Sequence, residues 1–175
     1  MLSGYTLLIP RHLAMIFLAI ALLLLLPGNV WARSTHNFSL GSLEEIVSSR
    51  NGHSFVLVFW SLECPSCLKE LDFFNEQLTL HPDLDLVMVS TDDSNRKEAV
   101  EAMLAKHNLD TLIDSWVFSD ASAQKIRYEI DPGWFGEMPR SYFYDTEHNY
   151  KALSGMLTKE HFDGWRTVVR PMKHK

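Results

Sequence analysis

The sequence predicts an α/β fold built on parallel central strands, and three observations carry that expectation. Phe55–Trp60 is a continuous apolar run rich in β-branched and aromatic residues, which reads as a strand covered on both faces. A second buried strand, Leu84 to Ser90, alternating with Val87 and Val89, follows after a stretch whose apolar residues recur at helical spacing. Strands and helices then keep alternating toward the C-terminus, the pattern of a sheet flanked by helices.

Size and charge narrow the field. At 175 residues, 46% of them hydrophobic, the chain is long enough for one well-buried core. Its 16 Lys and Arg stand against 22 Asp and Glu, a net charge of −6, which argues against a nucleic-acid binder. With 10 Phe, 5 Trp and 5 Tyr it is too aromatic for a disordered chain. Two cysteines exclude a disulfide-dense scaffold and a four-cysteine zinc site.

Residues 1–32 read as an export segment. Arg11 and His12 precede fourteen apolar residues, Leu13 to Leu26; Pro27-Gly28 breaks the run, and Val30-Trp31-Ala32 offers a small-residue cleavage pattern. Fourteen residues of helix span about 21 Å, short of a ~30 Å hydrocarbon core. An uncleaved membrane anchor is the alternative, because Tyr5 to Pro10 lengthens the apolar stretch. Either way residues 33–175 leave the cytosol, with 15 basic and 22 acidic residues and a net charge of −7.

In that second part, Leu43, Ile46 and Val47 mark a first helix, with Ser42 as candidate N-cap and Glu45 completing a capping box. Asn51-Gly52 turns the chain into the strand Phe55–Trp60. Leu68, Leu71, Phe74, Gln77 and Leu78 form the stripe of a second helix that stops at His81-Pro82. After the Leu84 to Ser90 strand, residues 94–107 read as a helix with Val100, Met103 and Leu104 on one face. Trp116 to Phe118 reads as a short strand, residues 121–128 as a short helix, and Asp131-Pro132-Gly133 as a loop. Ser141 to Asp145 and Tyr150 to Leu153 pair as antiparallel strands around a four-residue turn. Thr158 caps a closing helix to Val169, with Phe162, Trp165, Val168 and Val169 inward.

The chemistry concentrates at Cys64-Pro65-Ser66-Cys67. The buried strand ends at Trp60, the C-x-x-C begins four residues later, and a helix follows at once. Pro65 suits the first helical position, where its missing N–H costs nothing. This places Cys64 at the N-cap, where free N–H groups and the helix dipole stabilise a thiolate. Cys67, one turn on and deeper, is the candidate resolving thiol, and the two-residue spacer lets the sulfurs form a disulfide. Haem attachment needs a His after the second Cys, where this chain has Leu68. No H-x₃₋₅-H pair supports zinc, so no metal is expected. A purely structural disulfide stays open, although closing so small a loop constrains the unfolded chain little.

Phe59-Trp60-Ser61-Leu62-Glu63-Cys64-Pro65-Ser66-Cys67-Leu68-Lys69-Glu70 resembles the active-site stretch of the thioredoxin superfamily. It is most similar to the TlpA/ResA-like branch of exported thiol-disulfide oxidoreductases, which includes cytochrome c maturation reductases and reads F-W-A-x-W-C-x-x-C-x-x-E. The resemblance runs through nearly all of residues 33–175: Phe38-Ser39-Leu40, the strand end Val89-Ser90-Thr91-Asp92, the helix at 94–107, Met138-Pro139 and Gly155 all have counterparts. It implies a thioredoxin-like mixed sheet flanked by helices, and a cis Pro139 lying against the C-x-x-C. It implies Cys64 and Cys67 as the redox pair, Glu70 as an acid that influences thiol protonation, and no organic cofactor. Substrate contacts are then expected from Trp60, Glu63, Pro65, Ser66 and Met138. Trp134, beside Phe135, either joins a docking surface or plugs the core. The partners implied are disulfide-containing exported proteins, with a membrane-bound thiol reductase as electron donor, in the periplasm or an equivalent exported compartment. An oxidase or isomerase on the same fold is the neighbouring alternative. So is a copper-handling module, though the copper carriers of this fold use C-x-x-x-C.

The chain also departs from the family pattern. Glu63 replaces the usual Trp before the first Cys, and its charge is expected to raise the Cys64 pKa and deter acidic partners. Val58 stands where cytosolic thioredoxins carry a buried Asp.

Overall fold

A computed structural model describes residues 34–119 and 123–169, which fall in the compact unit Ala32–Lys175. The proposed export segment lies outside the described residues. Among those described, no helix is long and apolar enough to cross a membrane.

Six strands form one mixed sheet: β1 (His36–Phe38), β2 (Phe55–Trp60), β3 (Leu86–Asp93), β4 (Asp114–Phe118), β5 (Arg140–Tyr144) and β6 (Tyr150–Ser154), in the order β1-β4-β3-β2-β5-β6. β1, β4, β3 and β2 run parallel, whereas β5 and β6 are antiparallel additions beside β2. Among the described residues, five α-helices flank the sheet: α1 (Ser42–Ser49), α2 (Pro65–Leu80), α3 (Lys97–Lys106), α4 (Ala123–Ile130) and α5 (Lys159–Val169).

The apolar run of β2 explains why both faces are covered. All six of its residues are buried, and the two-residue period of a strand divides them. Val56, Val58 and Trp60 face a core with Leu71 and Phe74 of α2, Val100 and Leu104 of α3, and Phe162 of α5. Phe55, Leu57 and Phe59 face the other core, with Ile46 of α1 and Ile126 and Ile130 of α4. Val58 is wholly buried within the first of these cores, beside Ser141 of β5.

Three local expectations are corrected. The helix α1 begins at Ser42, one residue early, because Gly41 takes the N-cap position at φ 87°, a left-handed conformation that glycine adopts freely. The Ser42 hydroxyl instead accepts the Ser39 N–H at 2.9 Å. The helix expected over 94–107 opens with a 3₁₀ turn, Ser94–Arg96, before α3. Finally, β1 was not anticipated: it is three residues long with only Phe38 buried, too short to show a period. Elsewhere Thr158 caps α5 as expected, accepting the His161 N–H at 3.3 Å.

The topology concentrates chain ends at one edge. β2 and β3 are parallel, so Trp60 at the end of β2 lies beside Ser90, and β3 runs on from there to Asp93. β5 runs the other way, with Phe59 opposite Arg140, so the loop entering β5 reaches the same edge. The crevice outside the carboxyl ends of parallel strands is where open α/β sheets place their sites.

Candidate active site

Between Trp60 and α2 the chain makes a tight, fully bonded loop. The Cys64 N–H donates to the Ser61 carbonyl at 3.1 Å, and the Glu63 N–H donates to Ser61 Oγ at 3.1 Å. Asp92, buried at the end of β3, holds the loop from the side. Its carboxylate accepts the Leu62 N–H at 2.9 Å, the Ser61 hydroxyl at 3.3 Å and the Ser90 hydroxyl at 2.6 Å. Arg96 completes the cluster, donating at 3.0 Å to Asp92 and at 2.6 Å to Glu63.

This loop delivers Cys64 to the N-cap of α2, with Pro65 at the first helical position. Cys64 Sγ accepts the Cys67 N–H at 3.1 Å, so the sulfur itself caps the helix. Cys64 and Cys67 form a disulfide, with Cα atoms 5.2 Å apart. Their environments differ as the sequence implied: Cys64 is half-buried, while Cys67 is buried against Leu71 and Trp60 in the core. Pro65 is exposed and Ser66 half-buried.

Glu70 follows Cys67 by one turn on the buried face of α2. It is 1% exposed and accepts the backbone N–H of Leu157, just before α5. Glu70 is therefore a core residue and not a solvated one on the helix surface. Burial pushes its carboxyl pKa up to about 7, against the lowering effect of the Leu157 N–H. A carboxyl poised there can take or give a proton near neutrality.

Met138-Pro139 enters the same edge from β5, and its peptide bond is cis. Pro139 directly precedes Arg140, which pairs with Phe59 of β2. The Pro139 carbonyl accepts the Gly155 N–H at 2.8 Å, which ties the loop to the end of β6. Met138 is half-buried, packs against both cores and takes the Thr91 hydroxyl on its sulfur at 3.3 Å.

One expected contact residue is placed differently, and the open choice at Trp134 is decided. Trp60 is buried in the core, and its indole N–H has no hydrogen-bond partner among the described residues. Trp134 plugs the opposite core, 4.9 Å from the Phe59 ring, with its indole N–H donating to the Glu137 carbonyl at 2.9 Å. Neither offers a surface to a substrate; each supports the edge from beneath. Phe135 is the exposed member of the aromatic pair, at 91%. Asp92 and Arg96 are the site residues that sequence reasoning missed. Their one signal was opposite charges four residues apart just past a buried strand. Among the described residues no group of three or more His, Cys, Asp or Glu is placed to hold a metal ion.

The same architecture recurs in solved structures. One is a secreted Mycobacterium tuberculosis disulfide oxidoreductase homologous to E. coli DsbE, 19% identical, with a TM-score of 0.53 over 69% of this chain and 85% of that one. StoA from Bacillus subtilis is 24% identical, with a TM-score of 0.50 over 66% and 84%. A thiol:disulfide interchange protein of the thioredoxin family from Chlorobium tepidum is 18% identical, with a TM-score of 0.54 over 70% and 83%. The chain has the thioredoxin-like fold. No protein-family model and no curated protein sequence matches it. Within the thioredoxin-like fold, the parallel strands, the helix that starts beside their ends and the reversed β5 together bring Cys64, Cys67 and Pro139 to one edge.

Proposed function

We propose that this chain is an exported thiol-disulfide oxidoreductase that reduces disulfides of partner proteins through the Cys64–Cys67 dithiol. The observation that carries the reading is the asymmetry of the pair. Cys64 is half-buried with its sulfur at the N-terminus of α2, accepting the Cys67 N–H, whereas Cys67 is buried. A helix N-terminus favours the thiolate, so Cys64 is the attacking sulfur and Cys67 the resolving one.

In the reaction, the Cys64 thiolate attacks one sulfur of the partner disulfide and displaces the other as a thiolate, which takes up a proton. Cys67 loses its proton and attacks Cys64 Sγ, forming the Cys64–Cys67 disulfide and releasing the second partner thiol. The partner gains two electrons and two protons, and the enzyme dithiol is oxidised. Glu70, one turn beyond Cys67 with its pKa near 7, is suited to receive the Cys67 proton. No organic cofactor takes part. A membrane-bound thiol reductase, implied by the family resemblance, restores the dithiol.

Met138, half-buried beside the buried Pro139, offers backbone to an extended partner segment. Pro65, Ser66 and Glu63 border the sulfur that such a segment must approach. Residues 1–32 supply export, by a cleaved signal or as an anchor, to the periplasm or an equivalent compartment.

Equilibration with glutathione tests the direction of electron flow. A reductase has a potential near or below that of thioredoxin, about −270 mV. A value near about −120 mV, typical of a strong oxidant, contradicts the reductase reading.

A further inference from the structure

Glu63 immediately precedes Cys64, and a free carboxylate there opposes ionisation of the attacking thiol. The structure does not leave it free. Glu63 Oε1 lies 2.6 Å from Arg96 Nη1, and the same nitrogen lies 3.0 Å from Asp92 Oδ1. Exposed ion pairs are ordinarily weak, partly because two long side chains must be ordered. Here one partner is already ordered: Arg96 stands on the 3₁₀ turn directly after β3 and is anchored by Asp92, whose side chain is 3% exposed. Asp92 in turn holds the Leu62 N–H of the loop that carries Glu63 and Cys64. One guanidinium therefore joins the strand end to the residue beside the nucleophile.

We propose that Arg96 is a positioning residue of the redox site: it fixes Glu63 and cancels its charge, so that Cys64 ionises despite the acid next to it. The inference rests on the oxidoreductase reading of Cys64 and adds to it the group that sets the electrostatics of the attacking thiol. The remaining charges around the loop do not replace Arg96. Asp92 and Asp93 are acids that themselves draw on the Arg96 charge, Glu70 is a buried acid on α2, and Lys69 is exposed beside it.

The test is a double-mutant cycle, read by the ultraviolet absorbance of the Cys64 thiolate against pH in the reduced protein. Arg96→Gln is expected to raise the Cys64 pKa by roughly half a unit to one unit. Adding Glu63→Gln should reverse most of that rise. Glu63→Gln alone, on a side chain 76% exposed, should lower the pKa by a similar amount, because the guanidinium it leaves behind then acts on the thiolate unopposed. A loss of packing alone gives no such reversal. An unchanged pKa in Arg96→Gln, or a rise that persists when Glu63 is also replaced, overturns the proposal. Should Arg96→Gln fail to fold, Glu63→Gln alone decides: a fall in the Cys64 pKa supports a Glu63 charge that Arg96 has to offset, and an unchanged pKa refutes it. Disulfide exchange of the wild-type protein with glutathione is measured alongside. If it is absent, the oxidoreductase reading falls; if it is normal while the cycle is flat, only the Arg96 assignment falls.

Discussion

The carboxylate of Glu70 receives the backbone N–H of Leu157, which joins the first turns of α2 to the segment entering α5. Both residues are buried, so a titratable group sits inside the core one turn from Cys67. Its folded pKa, about 7, lies above the ordinary carboxylate value of 4.5.

That difference has a sign for stability. Between pH ~4.5 and ~7 the native protein binds a proton that the unfolded chain has released, so native stability falls as pH rises through this window. The contribution is fully present below pH ~4.5 and lost above pH ~7. Urea unfolding of the oxidised protein at pH 5 and pH 8 should show a decline on the order of 2–3 kcal/mol from this group. Glu70→Gln should flatten it, since the amide keeps an acceptor for Leu157 but does not ionise. Equal pH slopes in the two proteins would contradict a buried, raised Glu70.

The two aromatics before Met138 should behave oppositely. Trp134 is buried against Phe59, so Trp134→Ala is expected to cost roughly 3–5 kcal/mol in thermal or denaturant unfolding. Phe135 is almost wholly exposed, so Phe135→Ser should stay within about 0.5 kcal/mol of the wild type. Comparable losses in both variants would contradict their placement.

Sulfur accessibility gives a third expectation. In the reduced protein at mildly acidic pH, iodoacetamide should modify Cys64 well before Cys67, because Cys64 is the half-exposed N-cap and Cys67 is buried. Peptide mapping that finds Cys67 labelled first reverses the assignment of roles.

The parts of this molecule legible in the sequence are those with a long or chemically specific pattern. Phe55–Trp60 announced a two-faced strand because six apolar residues in a row have no solvent side. Pro65 after Cys64 announced the helix start, since proline tolerates few other helical positions. The burial of Glu70 was not legible. Nothing next to it in the chain marks it as buried, and its backbone partner Leu157 lies 87 positions away. Trp60 was expected as a contact residue and Trp134 was left open for a related reason: a large aromatic near a site supports it from below as readily as it faces solvent, and only the opposing layer decides. Asp92 and Arg96 escaped because their role lies in a loop 30 residues earlier in the chain, and nothing local marks such a contact.

The central claim, that Cys64 attacks a partner disulfide and Cys67 resolves it, is tested most directly by trapping. Cys67→Ser removes the resolving sulfur, so the reaction should stop at the mixed disulfide. Expressed in its own host, with the full chain including residues 1–32, this variant should accumulate a covalent complex with a partner protein. The complex should survive non-reducing electrophoresis and disappear on adding reductant, and Cys64→Ser should form none. If Cys67→Ser yields no reductant-sensitive complex, or Cys64→Ser yields the same one, the account of this site is contradicted.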